Sequence, residues 1–197
     1  MPNSWFKPVR LLTVILSSAL LFSCSSTPTS TQLQPQLSSI DNNKSLESSI
    51  NWSVTSQDRR IAHYLIEISS GDDAAVLINE SAGSRLIIEQ ALSRQWSKQG
   101  LTLLSSSPYQ IDIQVIKLLS QVKQSTLSHE IDSNIVIKVQ LNSETKTFSK
   151  TFKTKYSAQA PFQADIDDLS EQLNTQLSQL LNEIVQDAEL KSKLLQL

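Results

Sequence analysis

The sequence predicts an α+β domain: an antiparallel sheet with two amphipathic helices packed on one face. Three observations support this prediction. Several segments alternate apolar and polar residues with the period of two typical of half-buried strands, two segments repeat apolar residues every three or four positions, and the two kinds of segment follow one another in blocks. The alternation also predicts that the opposite sheet face is more polar and open to solvent or to a partner.

The first predicted strands lie between residues 50 and 78. Residues 50–54 alternate apolar and polar side chains, and residues 64–68 do the same. A Ser-Gly-Asp-Asp run at 70–73 then supplies turn residues before another apolar run at 75–78. We therefore expect the second and third of these strands to form a hairpin.

A helix is predicted next from apolar residues that recur every four positions, namely Ile88, Leu92 and Trp96. Ser81 or Ser84 can cap its start, because a serine hydroxyl accepts a hydrogen bond from a free helix N–H group. Gly100 suits the left-handed backbone position that commonly follows a helix end.

A second block of strands follows. Residues 111–115 and 135–141 alternate apolar and polar side chains more regularly than any other segment. Residues 148–156 place three aromatic side chains on one face and contain three lysines. Lysine enrichment is typical of an edge strand that must not pair with another chain.

The last element is predicted to be a long helix that begins at Asp165. Asp167 and Asp168 fall in its first turn, where the helix dipole favours acidic side chains. An apolar stripe along the helix predicts one buried side: Ile166, Leu169, Leu173, Leu177, Leu180 and Ile184. Four further leucines either dock on the domain or stay free to bind a partner helix: Leu190, Leu194, Leu195 and Leu197.

The N-terminus resembles a bacterial lipoprotein signal. Lys7 and Arg10 precede an apolar run at 11–22, and Cys24, the only cysteine, follows directly. The run is shorter than the roughly 20 residues that span a bilayer, so a transmembrane anchor is the weaker interpretation. The resemblance implies removal of residues 1–23 and attachment of fatty acyl groups, palmitate included, to Cys24. A plain secreted protein with a free cysteine is the alternative.

The residues that follow Cys24 predict which membrane holds the protein and how the domain is attached to it. Ser25 stands where, in enteric lipoproteins, an aspartate would favour the inner membrane, so we expect an outer-membrane protein that faces the periplasm. Residues 24–47 are rich in Ser, Thr, Gln, Asn and Pro and are predicted to form a lipidated flexible tether. Residues 48–197 remain for one domain.

Within the predicted domain 48–197, residues 50–195 resemble the YajG family of bacterial lipoproteins in the order and spacing of several features. These are Asp58-Arg59, Gly100, Tyr156, Phe162-Gln163-Ala164, Asp187, Leu190 and Leu194. The resemblance implies the fold and the compartment, and no established reaction. It also favours Phe162 as a hydrophobic staple at the start of the last helix over Phe162 as a recognition residue.

Composition argues against nucleic acid as a partner. The chain has 17 basic and 19 acidic residues, and removal of residues 1–23 takes away two of the basic ones, which leaves a net charge of −4. No basic tract remains for phosphate. The three glycines match neither the dinucleotide nor the P-loop spacing. No cofactor is expected.

No catalytic residue is assigned. His63 and His129 are the only histidines and share no metal-ligand spacing, so no metal site is expected. The acid pairs Asp72-Asp73 and Asp167-Asp168 have structural explanations as turn and helix-start residues. Asp58, Arg59 and Arg60 are the candidate binding residues, because two guanidinium groups can donate to a carboxylate or phosphate. A solvated loop is the competing interpretation.

Three functions remain. The first is a noncatalytic binding or envelope-assembly module, anchored by Cys24, whose partner is an envelope protein or peptidoglycan. The second is a peptidoglycan-active hydrolase, which needs two acids about 5 to 9.5 Å apart across a cleft. The third is a carrier of lipid or muropeptide, which needs a roomy apolar pocket.

Overall fold

The computed structural model describes residues 29–38 and 45–196. Cys24, the predicted signal peptide 1–23, parts of the predicted tether and Leu197 lie outside the described residues.

Eight strands and three helices occur in these described ranges. The strands are β1 Ser30–Thr31, β2 Asn51–Asp58, β3 Tyr64–Ser70, β4 Val76–Glu80, β5 Thr102–Leu103, β6 Gln110–Gln124, β7 Ser128–Asn142 and β8 Thr147–Pro161. The helices are α1 Ser84–Lys98, α2 Ile166–Gln186 and α3 Ala188–Gln196.

The sheet is built around β6. One edge of β6 pairs along its length with β7, which pairs with β8 at the sheet edge. The other edge pairs first with β2 and then with β3, so these two strands lie end to end beside β6. Beyond β3 lie β4 and then β1, and β5 lies beside β2.

The prediction of a purely antiparallel sheet with two helices is wrong. Of the seven strand pairings in the described ranges, four are parallel: β1 with β4, β2 with β5, β2 with β6 and β3 with β6. The physical reason is the crossover through α1, which returns the chain to the start of the sheet so that β6 runs in the direction of β2 and β3. The third helix, α3, contains the C-terminal leucines Leu190, Leu194 and Leu195.

The helices pack on one face of the sheet. Alternate residues of β7, such as Ile135, Ile137 and Val139, are buried, while the residues between them are only partly covered. α1 contacts β2, and α2 contacts β7 and β8. We call the other side of the sheet the open face. It is polar, as the alternation predicted.

Most predicted elements are present. The hairpin of β3 and β4, with Gly71 at positive φ in its turn, is confirmed, and so is the edge position of β8. Gly100 follows α1 with φ of 99°. Asp165 caps α2 by accepting hydrogen bonds from the N–H groups of Asp167 and Asp168.

Two local predictions are wrong. The N-cap of α1 is Gly83 without a side-chain cap, so neither Ser81 nor Ser84 caps through its hydroxyl. Phe162 is not a staple, because its side chain is 74% exposed and its backbone adopts a φ of 66°.

The C-terminal leucines divide between the two alternatives. Leu190 and Leu194 are fully buried, and the indole N–H of Trp52 donates to the Leu194 carbonyl at 3.1 Å. Leu195 is at the surface. Thus α3 docks on the domain.

Residues 29–38 form a strap across the domain, and for this stretch the prediction of a flexible tether over 24–47 does not hold. The backbone N–H groups of residues 34, 36 and 38 donate to Asn174, Ser178 and Asn182 of α2 at 2.6, 2.9 and 3.1 Å. Leu33 is buried in the core. Alternation of Leu33, Pro35 and Leu37 with glutamines explains this packing, because one side of an extended strap is apolar.

Candidate functional site

The predicted candidate residues lie where β2 ends and α1 begins. β2 ends at Asp58, the chain turns outward, and β3 starts at Tyr64. The structure joins Asp58 to Arg60 and adds Glu80, which ends β4 four residues before the first residue of α1. We call Asp58, Arg60 and Glu80 the Arg60 cluster.

Arg60 is the centre of this cluster. Its side chain is only 2% exposed. The guanidinium donates to Asp58 through Nε at 2.9 Å and Nη2 at 2.7 Å, in the bidentate geometry that strengthens arginine–carboxylate pairs. Nη2 also donates to Glu80 Oε2 at 3.0 Å. Burial opposes the charged form of Arg60, but the hydrogen bonds from its side chain to Asp58 and Glu80 outweigh burial and raise its pKa.

Asp58 is held ionised by this contact. Besides the two guanidinium bonds, Asp58 Oδ1 accepts the backbone N–H of Arg60 at 3.1 Å. The side-chain hydrogen bond from Arg60 is the main reason that the pKa of Asp58 falls from 3.8 to about 2. Near neutral pH Asp58 therefore accepts hydrogen bonds and does not donate a proton.

Glu80 was not identified from the sequence. Burial opposes its ionisation, but hydrogen bonds from Ser84 and Arg60 outweigh burial and lower its pKa. The backbone N–H of Ser84 donates to Glu80 Oε2 at 3.1 Å, and the Ser84 hydroxyl donates to the same oxygen. Glu80 therefore satisfies the start of α1 in place of the predicted serine cap. The sequence signal for this role was an acidic residue four positions before the first residue of the helix.

The cluster and His63 form a candidate ligand set for a metal ion, but the Arg60 guanidinium already bonds to both carboxylates of that set. Ligand atoms of Asp58, His63 and Glu80 lie within 4.8 Å of one another. His63 Nδ1 is 3.3 Å from Asp58 Oδ2, and the histidine side chain is 65% exposed. The Arg60 guanidinium bonds to both carboxylates, so a metal ion would have to displace it.

Arg59 does not join the cluster. It is exposed beside the buried Arg60, and its backbone N–H donates to the Val115 carbonyl at 2.8 Å. The predicted pair of guanidinium donors is therefore split between the surface and the interior. Arg60 Nη1 is buried without a hydrogen-bond partner among the described residues.

Both carboxylates of the cluster are held in the ionised form. A general acid needs a raised pKa, whereas both carboxylates of the cluster have lowered ones. Asp72 and Asp73 lie in and beside the β3–β4 turn, and Asp167 and Asp168 begin α2. These positions agree with their structural interpretation.

The open face holds a second polar group around Asp112. This side chain is buried among neighbouring side chains of β2 and β6. It accepts hydrogen bonds from the amides of Gln57 at 3.2 Å and Gln114 at 2.7 Å. The amides surrounding the carboxylate make this face a preformed polar surface.

A polar groove and a smaller, more apolar pocket lie in the described part of the chain. A polar groove of about 590 Å³ lies between the strap and α2. A more apolar pocket beside Arg60 measures about 210 Å³ and is lined by Ile61, Ile116 and Leu118. The second pocket is below the roughly 300 Å³ at which small-molecule sites usually begin. No helix in ranges 29–38 and 45–196 is long and apolar enough to cross a membrane.

These features define an α+β domain with one helix-covered and one polar sheet face. The chain belongs to the family described as uncharacterized lipoproteins, whose sequence profile matches residues 35–195. The YajG resemblance is thereby confirmed. The match includes part of the strap.

Solved structures add evidence about the fold. A Xanthomonas campestris protein of family DUF330 superposes with a TM-score of 0.59 at 13% identity, over 82% of this chain and 95% of that one. This likeness shows the fold alone. A minor lipoprotein from Acinetobacter baumannii covers 75% of this chain and 92% of its own at 9% identity, with a TM-score of 0.34, too low to support an argument. No curated protein matches the sequence.

Proposed function

We propose that the protein is an outer-membrane lipoprotein, anchored by acyl groups on Cys24, whose periplasmic domain binds another envelope component without catalysing a reaction. The observation that carries the proposal is the open face: the helices cover one side of the sheet, and the other side presents a polar surface around Asp112. Family membership supports the lipoprotein part.

The Arg60 cluster supports a noncatalytic role. Its two carboxylates are engaged by a buried guanidinium and by the start of α1, and both have lowered pKa values. Residues used in this way stabilise the junction of β2, β4 and α1. The cluster therefore fixes the sheet that presents the open face.

The partner is an envelope protein or peptidoglycan, and in-cell crosslinking tests this directly. A photoreactive residue replaces Lys138 on the open face of full-length protein. The matched control replaces Glu171, an exposed residue of α2 on the helix side. We expect one discrete adduct from position 138 and none from position 171. Equal adducts from both positions, or none from position 138, would contradict the proposal.

The hydrolase alternative is tested with isolated sacculi. We expect the purified protein to release no muropeptides beyond a buffer control. Release that is lost in an Asp58→Asn variant would establish catalysis at the Arg60 cluster and refute the noncatalytic role. The carrier alternative is tested by extracting the purified protein and analysing it for co-purified lipid or muropeptide at stoichiometric amounts.

A further inference from the structure

One end of the sheet presents large apolar side chains to solvent. β3, β6 and β8 all end there, since Ser70 pairs with Gln124 and Pro161 with Ser128. We call residues 70–73, 125–127 and 162 the sheet tip. Leu127 is 78% exposed and Phe162 is 74% exposed.

A backbone hydrogen bond joins Leu127 to Phe162 at the tip. The Phe162 N–H donates to the Leu127 carbonyl at 2.8 Å, and His129 Nδ1 lies 3.0 Å from the Phe162 carbonyl oxygen. Phe162 is the one non-glycine residue with positive φ in the described ranges. This conformation is uncommon for a bulky residue and is maintained by the hydrogen bonds around it.

The strap determines how far the lipid anchor can lie from the domain. The strap is fixed from its first described residue, since the Asn79 N–H donates to the Thr29 carbonyl at 2.9 Å. Thr29 lies five positions after Cys24 in the sequence. Because an extended chain spans at most about 3.3 to 3.6 Å per residue, Cys24 lies within about 18 Å of Thr29.

This reach distinguishes the two ends of the sheet. Ser30 of β1 pairs with Asn79 of β4, so Thr29 lies level with Ile78. Ile78 and Ser120 both pair with Ile66 of β3, so Thr29 is also level with Ser120 of β6. Four residues of β6 then remain to the tip, about 13 Å at a strand rise of about 3.3 Å. Gln110, at the other end, lies ten positions before Ser120, about 33 Å by the same rise. Measured along the strand axis, only the tip end of the sheet is within reach of the anchor.

We propose that the sheet tip is the membrane-facing end of the domain and that Leu127 and Phe162 contact a zwitterionic phospholipid surface. The proposal rests on the proposed lipid anchor at Cys24. Two exposed apolar side chains at the end within reach of the anchor fit the interface of a bilayer. Asp72 and Asp73 belong to the same tip and are exposed, so anionic headgroups would be repelled and neutral ones are favoured.

Lipid-dependent quenching tests the proposal on full-length, acylated protein in phosphatidylcholine vesicles. Cys24 is the only natural cysteine and is acylated, so a Leu127→Cys substitution gives a single thiol for a fluorophore. The matched control is Leu104→Cys, an exposed leucine that follows β5 at the opposite end. We expect spin-labelled lipid to quench the label at 127 at least threefold more than the label at 104. Equal quenching, or stronger quenching at 104, would overturn the proposal.

Two further experiments distinguish the possible causes of the quenching difference. Insertion of 20 Gly/Ser residues after Ser26 lengthens the tether by roughly 25 Å, and we expect it to abolish the difference between the two positions while the protein stays membrane-bound. Persistence of the difference would overturn the role of the short tether. Protection of the label at 127 in lipid-free detergent would instead indicate contact between copies of the chain and would also overturn the proposal.

Failure of the anchor is recognised separately. Mass spectrometry of the purified protein reports acyl groups on Cys24 before any fluorescence is measured. A chain without acyl groups refutes both the anchor and the orientation. An acylated, vesicle-bound chain with equal quenching refutes the orientation alone.

Discussion

The Arg60 cluster and the sheet tip use their side chains in opposite ways. In the cluster, charged groups that could bind a ligand are engaged by one another: Arg60 is buried and joins Asp58 and Glu80. At the tip, the apolar residues Leu127 and Phe162 are exposed. The comparison teaches that a charged motif is not by itself a binding site, whereas two exposed apolar residues joined by a backbone hydrogen bond form a candidate contact surface.

The largest loss of stability is expected from a substitution that disrupts the Arg60 cluster. Arg60→Ala leaves two partly buried carboxylates without their cation and should lower the free energy of unfolding by about 3 kcal/mol. Urea denaturation followed by circular dichroism measures this change. The control is Arg59→Ala, which removes an exposed charge from the adjacent position and should change the value by less than about 0.5 kcal/mol. Equal losses would mean that Arg60 is not the structural centre described.

The strap is expected to contribute nearly as much. Leu33→Ala removes a buried side chain and should cost about 2 to 3 kcal/mol, whereas the same change in a free tether would cost nothing. Gln32→Ala, at the exposed neighbouring position, is the matched control and should leave stability unchanged. Unaltered stability of Leu33→Ala in the same denaturation experiment would refute the docked strap and, with it, the short reach of the anchor.

A pH titration sharpens the account of Asp58. Its pKa in the folded protein is about 2, below the usual 3.8, so its stabilising contribution is present above about pH 4 and is lost as the pH falls toward 2. The contribution is about 2 kcal/mol near pH 6, and about 1 kcal/mol of it should be lost by pH 3. The stability difference between wild type and Asp58→Asn should therefore shrink on acidification. A difference that is constant with pH would contradict the lowered pKa.

The smallest stability effect belongs to the tip. Leu127→Ala removes an exposed side chain and should change the free energy of unfolding by less than about 0.5 kcal/mol. A loss as large as that of Leu33→Ala would show that Leu127 packs against the domain. Such a result would remove the contrast between the tip and the Arg60 cluster.

The sequence was sufficient for the individual elements but not for their assembly. Alternation and helical spacing located the main strands and the first two helices, and Asp165 marked the start of α2. The parallel pairing of β2 and β3 with β6 was missed, because pairing depends on where α1 returns the chain. Strand periodicity carries no information on that return.

For the candidate site, the sequence identified Asp58 and Arg60 but not what they do. Glu80 was missed because its partners, Arg60 and the start of α1, come together only in the tertiary structure. The strap was missed because its glutamine-rich composition resembled a linker. Its signals were the alternating Leu33 and Leu37 and the spacing of four between Asn174, Ser178 and Asn182 on α2.

Lipid attachment at Cys24 is the claim on which the compartment and the orientation both depend, and metabolic labelling with palmitate measures it most directly. We predict that label enters the wild-type protein, that none enters a Cys24→Ala variant, and that this variant leaves the membrane fraction. An unlabelled wild-type protein, or a Cys24→Ala variant that stays in the membrane fraction, would contradict the account.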